Sequence, residues 1–236
     1  MSAAGADVVF LLDVDNTLLD NDRIVADLRR HLEDEFGAAS AQRYWTIFEQ
    51  LRAELGYVDY LGALQRYRDV LDHGGERDHR LLEMSNFLLD YPFADRLYPG
   101  ALAVVAHLAT LGTPVILSDG DVVFQPRKVW QSGLWDAVQG RVLIYVHKEQ
   151  RLDQVQRLYP ARRYVLVDDK LRLLTACKQL LGERLLTVFP RQGHYALDAA
   201  DNARYPAADC AVDAIADLLA LDLRALIDAP LQEPTP

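Results

Sequence analysis

The chain has almost no cysteine: Cys177 and Cys210 are the only two among 236 residues. Two thiols neither build a disulfide framework nor fill a zinc site, so both read as small core residues. The histidines show no H-E-x-x-H spacing, which removes a common zinc-hydrolase signature. No apolar stretch reaches the length needed to span a bilayer, so no membrane partner is expected. The opening residues MSAAGADVV lack a basic flank and a long apolar segment; no secretory signal is expected, and the cytoplasm is the default location. Positive charge is scarce as well. The formal net charge of −10 argues against nucleic acid or an anionic membrane as a non-specific partner. It leaves an anionic substrate open, because local cations set the field inside a cleft. Internal repeats and low-complexity tracts are missing too.

What is present is ordinary globular material, half hydrophobic and one quarter charged, enough for a single domain or for a core with an insertion. The densest information lies in residues 8–20. Val8 to Leu12 is an apolar run suited to a strand buried on both faces of a parallel sheet. It delivers Asp13 and Asp15, then Thr17, at its C-terminal end, where ligands bind in open α/β sheets. Two acids there repel unless a cation or a shared proton separates them. Three further apolar runs end in polar groups. Val115 to Leu117 ends in Ser118-Asp119-Gly120-Asp121, Val142 to Val146 in His147-Lys148, and Tyr164 to Val167 in Asp168-Asp169. On neighbouring parallel strands these ends converge on one crevice, with carboxylates for a hard cation and a hydroxyl and an ammonium for an anion.

Between the first two runs lie about a hundred residues of helical periodicity. Leu28, Leu32 and Phe36 share one stripe, Tyr44, Phe48, Leu51 and Leu55 a second, Leu61, Leu64, Tyr67 and Leu71 a third, and Leu81, Ser85 and Leu88 a weaker fourth. Gly37, Gly56 and Gly74-Gly75 punctuate them. Four helices are too many for one crossover, so residues 21–93 read as an inserted all-α bundle. Tyr98-Pro99-Gly100 marks re-entry into the core. A helix over 101–111, strand 115–117, helix 124–132, strand 142–146, helix 150–158, strand 164–167, helix 171–181 and strand 185–189 follow. A last helix is expected near 213–221, before a frayed Pro-rich tail at 230–236. The expected organisation is a Rossmann-like parallel sheet with helices on both faces, made of residues 1–20 and 94–229, plus the helical insertion.

The four strand-end motifs, in this order, resemble those of the haloacid dehalogenase superfamily of hydrolases. Asp13-Val14-Asp15-Asn16-Thr17 resembles its first motif, Ser118 its second, Lys148 its third and Asp168-Asp169 its fourth. The resemblance covers roughly Val8 to Leu219, and the helical insertion matches the cap that many members carry after the first motif. It implies a phosphatase in which Asp13 attacks phosphorus and forms an aspartyl-phosphate. Asp15 would be acid to the leaving alcohol and then base to the hydrolytic water. Ser118 would bind a phosphoryl oxygen, with Gly120 letting backbone N–H groups approach it. Mg²⁺ would be held by the Asp13 carboxylate, the Asp15 backbone carbonyl and one acid of the last pair. Asp169 is assigned as that ligand and Asp168 as the acid beside Lys148; the reverse stays open. The expected partner is a small phosphorylated metabolite.

Lys148 has two rivals. Lys128 sits on a helix whose Trp130 and Leu134 read as core packing, and Lys170 reads as the start of a solvated helix face. Asp119 stands where many relatives carry Asn, and Asn16 where many carry Gly. Arg52, Tyr57, Tyr60 and Arg66 cluster around Gly56 as candidate substrate contacts, and Arg191 to Tyr195 as a loop near the cleft; His194 is not needed as acid–base group. Other readings are a phosphotransferase or mutase on the same residues, a dehalogenase, a receiver-like phospho-switch and an inactive binding module. Dehalogenating relatives usually lack an acid at the position of Asp15, and receivers carry their acid pair in the first strand.

Overall fold

The structure, a computed structural model, describes residues 6–71 and 79–228. Gly74-Gly75, the first five residues and the tail at 230–236 lie outside the described residues. Among the described residues, six strands form one parallel sheet: β1 (Ala6–Leu12), β2 (Thr113–Asp119), β3 (Val142–Tyr145), β4 (Ala161–Val167), β5 (Leu185–Pro190) and β6 (Cys210–Val212). Their spatial order is β3-β2-β1-β4-β5-β6, the doubly wound arrangement, and the chain reverses direction where β1 meets β4. The register sets Leu12 beside Ile116 on one side and Val167 on the other, so Asp13 and Asp168 leave adjacent strands at the same level.

β1 is buried on both faces, as its run of Val and Leu requires. Val8, Phe10 and Leu12 face one apolar cluster, Val9 and Leu11 the other. On the second face pack α8 (Leu152–Leu158) and α9 (Leu171–Leu181), through Leu152, Val155, Leu174 and Cys177. On the first face pack α5 (Ala101–Ala109), α6 (Phe124–Gln131), α7 (Leu134–Ala137) and α12 (Leu223–Asp228). The short helices α10 (Gly193–Leu197) and α11 (Ala199–Asn202) follow β5.

Among the described residues, four helices precede α5 between β1 and β2: α1 (Asn21–Phe36), α2 (Ala38–Leu55), α3 (Tyr60–Leu71) and α4 (His79–Leu89). The Asp20 carboxylate caps α1 by accepting from the Arg23 N–H, and α2 stops at Gly56 in the left-handed region. Their stripes meet in an aromatic cluster of Tyr44, Trp45, Phe48, Tyr60 and Tyr67, continuous with the core through the tilted contact of Tyr60 with Phe124.

Several expectations need correction. β6 was not expected; three residues with the pattern Cys-Ala-Val carry little periodicity, and pairing with β5 makes the strand. The helix expected at 213–221 is a 3-10 turn (Ile215–Leu219), and α12 follows it. β2 runs on to Asp119, so Ser118 and Asp119 belong to the strand itself. Lys148 opens a 3-10 turn (Lys148–Arg151) before α8 rather than a single helix. Trp130 is 63% exposed instead of core, its ring tilted against that of Trp135, while Leu134 is buried on α7. Cys177 is fully buried and Cys210 half-buried on β6.

Candidate active site

The strand ends place the motif residues together. Lys148, 1% exposed, sits with its Nζ 2.5 Å from Asp13 Oδ1 and 2.6 Å from Asp168 Oδ2. A buried ammonium survives only when paired. Burial opposes its charge, but Asp13, Asp168 and Asp119 outweigh that and hold its pKa well above the ordinary value. Thr17 joins the first and fourth motifs: its hydroxyl lies 3.4 Å from Asp13 Oδ2, as donor, and accepts from the Asp169 N–H at 3.1 Å.

Asp169 is fully buried, and neither of its carboxylate oxygens has a hydrogen-bond partner among the described residues. Burial, opposed by the Lys170 ammonium and reinforced by Asp168 and Asp13, pushes its pKa up to about 9. Buried polar groups are rarely left unpaired. Asp13, Asp168 and Asp169 each offer an oxygen within 4.8 Å of the others, so the three can hold a cation. That donor set, all oxygen and anionic, fits a hard divalent metal ion. The Asp15 carboxylate stands outside this cluster and pairs instead with Lys128, Nζ to Oδ1 at 2.7 Å.

Ser118 is buried, its Oγ accepting from Gln125 Nε2 at 2.9 Å. Gln125 escaped the sequence reading; only its position one turn into the helix after the second motif could have signalled it. It also explains Gly120, where a Cβ would meet the Gln125 Cβ at 2.5 Å. The Gly120 N–H itself donates to the Tyr145 carbonyl at 2.9 Å. Asp119 points at the third motif, accepting from the Lys148 N–H at 2.7 Å. Burial, against the Lys148 charge, raises its pKa to about 6. Asn16 has φ +60°, a left-handed conformation that glycine and asparagine adopt most cheaply.

Above these groups lies a cavity of about 600 Å³. Arg52, Tyr57 and Tyr60 line it from the helices; Arg66 does not, being exposed and paired with Glu54 at 2.7 Å. Lys170 is a second correction. It is half-buried at the start of α9, lines the cavity, and holds its Nζ 4.8 Å from the Tyr195 ring centroid. Asp13, Asp169 and Asp168 raise its pKa against the cost of burial. The segment 191–195 does approach the cavity, through His194 and Tyr195. The His194 N–H and ring both meet Asp22, at 2.8 and 2.6 Å, and Arg52 Nη2 donates to the Tyr195 hydroxyl at 2.9 Å. Arg191 turns outward to Asp213. No helix among the described residues is long and apolar enough to cross a membrane.

The chain matches a family model described as haloacid dehalogenase-like hydrolase over residues 8–180. It is 63% identical to a haloacid dehalogenase-like hydrolase from Burkholderia xenovorans LB400, whose crystal structure superposes with a TM-score of 0.85 over 92% of this chain and 99% of that one. A HAD-hydrolase of Bacillus subtilis, solved bound to magnesium, gives 18% identity and a TM-score of 0.61 over 94% of this chain and 99% of that one. L-2-haloacid dehalogenase from Xanthobacter autotrophicus gives 19% and 0.58 over 94% and 99%. At those two identities the likeness is one of fold. A comparison with curated sequences finds no match. Family model, fold and strand-end chemistry agree: the chain belongs to the haloacid dehalogenase-like hydrolases.

Proposed function

We propose that this hydrolase is a Mg²⁺-dependent phosphatase that cleaves a small phosphomonoester through an aspartyl-phosphate on Asp13. The observation that carries the reading is the buried acid cluster of Asp13, Asp168 and Asp169, in which both Asp169 oxygens lack a partner among the described residues. Phosphoryl transfer brings an anionic nucleophile onto an anionic ester, and a cation bound at that point neutralises both. Asp13, Asp169 and the Asp15 carbonyl would hold it, with Asp168 committed to Lys148.

The other residues divide the remaining work. Lys148 fixes the Asp13 carboxylate in place from one side, and Thr17 does so from the other. Ser118, held by Gln125, presents a hydroxyl for a phosphoryl oxygen. Lys170 adds a second ammonium at the rim of the acid cluster. Asp15, at the cavity edge with a side chain 26% exposed, protonates the leaving alkoxide and then takes a proton from the water that attacks the aspartyl-phosphate. The helices at 21–93 form a cap over the cavity that excludes water and reads the alcohol. A half-exposed or exposed seam (Asp22–His194 and Arg52–Tyr195) joins cap to core.

The test is turnover of p-nitrophenyl phosphate, and then of a panel of phosphorylated metabolites, after exhaustive chelation and again with Mg²⁺. Activity that appears only with the cation is expected. Full activity in the chelated protein, or chloride release from 2-chloropropionate without phosphatase activity, would overturn the reading.

A further inference from the structure

We propose that Lys128 is a positioning residue for Asp15, tying the acid–base carboxylate to the first residue of the helical cap; this rests on the role given to Asp15 above. Lys128 lies on α6 of the core and is 1% exposed. Its ammonium has two polar partners in the structure, Asp15 Oδ1 at 2.7 Å and Asn21 Oδ1 at 3.0 Å, and it stands 5.3 Å from the Phe124 ring centroid. Asn21 begins α1, and both Asn21 and Tyr60, the first residue of α3, line the cavity beside Asp15. Tyr60 is fixed in turn by its ring contacts with Phe48 and Phe124 and by the Tyr44 hydroxyl, which donates to its carbonyl. One buried cation therefore links the core helix after the second motif, the carboxylate of the first motif and the first cap helix.

Packing alone does not call for a lysine here. An apolar side chain of similar length would fill the same space, and a buried ion pair adds little or no net stability over such a replacement. What the ammonium does supply is direction. It donates to Asp15 Oδ1 whether the carboxyl is ionised or protonated, so the mobile proton is assigned to Oδ2. As the bond from phosphorus to the leaving oxygen breaks and Asp13 bonds to phosphorus, that proton passes from Oδ2 to the leaving alkoxide. A carboxyl free to rotate would deliver it from the right place only part of the time. Because the same ammonium holds Asn21, the aim of the acid is coupled to the seating of the cap.

The experiment compares kcat/KM, which reports steps through transfer to Asp13, on p-nitrophenyl phosphate and on the best alkyl phosphate of a panel. An activated aryl leaving group needs little protonation; an alkoxide needs it fully. In Lys128→Met, alkyl turnover is expected to fall on the order of 10²-fold, within the usual range for a general acid, and aryl turnover by less than about five-fold. Asp15→Asn should show the same pattern, and the double variant should be no worse than Asp15→Asn alone. A folded Lys128→Met that loses both esters equally, or losses that multiply in the double variant, would overturn the positioning role while leaving the phosphatase reading intact. If Asp15→Asn itself shows no leaving-group dependence, the role of Asp15 falls and the inference with it. Should Lys128→Met fail to fold, Asn21→Leu cuts only the cap arm. A smaller loss confined to alkyl esters then supports the coupling, and none, or a uniform loss, refutes it.

Discussion

At the floor of the cavity, Lys148 is buried between two carboxylates and two strands; at the seam above it, Arg52 and Tyr195 share one hydrogen bond, and Asp22 holds His194 at the surface. The two regions use similar atoms at similar distances and differ in solvent. Arg52 and His194 are exposed, so water competes for every contact they make, and such pairs are worth at most about 1 kcal/mol. The floor has no such competitor. Removing its one ammonium strands two buried carboxylates, which costs about 3–5 kcal/mol, whereas losing one carboxylate leaves Lys148 paired with the other. The lesson is that the strand-end groups are fixed, while this edge of the helical insertion is held by bonds that water can replace.

The largest effect should come from the floor. Asp13→Asn preserves the shape but removes the nucleophile, so turnover should drop by a factor on the order of 10³ or more with the melting temperature nearly unchanged. Lys148→Met should abolish activity too, yet with a loss of about 3–5 kcal/mol in denaturant unfolding. A stable Lys148→Met would erase the contrast between floor and seam. Next comes the cation. Mg²⁺ at a hundred times its Kd should stabilise the protein by about 2.7 kcal/mol. Asp169→Ala should cancel that gain more fully than Asp168→Ala; the opposite order would exchange the roles of the two acids.

A smaller effect is expected at Asp119, between the two regions. Its folded pKa of about 6 exceeds the unfolded value near 4 because burial opposes its charge. The stability linked to it is therefore full below pH 4 and lost as pH rises through 6. Asp119→Asn keeps an acceptor for the Lys148 N–H and removes the penalty. The variant should gain on the order of 1 kcal/mol at pH 8, after screening, and nothing at pH 4. Melting curves at both pH values decide it. The seam should respond least: Arg52→Ala and Tyr195→Phe should each cost under about 1 kcal/mol. Their mark should be a changed ranking of the metabolite panel, and an unchanged ranking would move specificity away from this seam.

The sheet was legible because buried parallel strands write themselves as apolar runs with polar ends. β1 and β4 follow from Val8 to Leu12 and Tyr164 to Val167, and four of the strand ends carry recognisable chemistry. Periodicity likewise exposed α1 to α4. β6 stayed hidden because a three-residue edge strand has no periodicity to read. Lys170 and Lys128 were misjudged for a common reason. One-dimensional spacing tells which helix a lysine rides on, but its partners, Tyr195 and Asp15, come from distant segments. Gln125 and the knot of Asn16, Asp22 and His194 are likewise visible only once three loops meet.

The pairing of β1 with β4 also governs when the protein can acquire its chemistry. Helices α1 to α4 close contacts between near neighbours in the chain, whereas Leu12 must find Val167 across most of its length. Contacts so remote form late, since the entropy of closing the loop is spent before they return anything. During synthesis Asp13 emerges well before Lys148 and Asp169, which lie far along the chain. The cluster of Asp13, Lys148, Asp168 and Asp169 is thus assembled only when the last central strand pairs, as a property of the finished sheet.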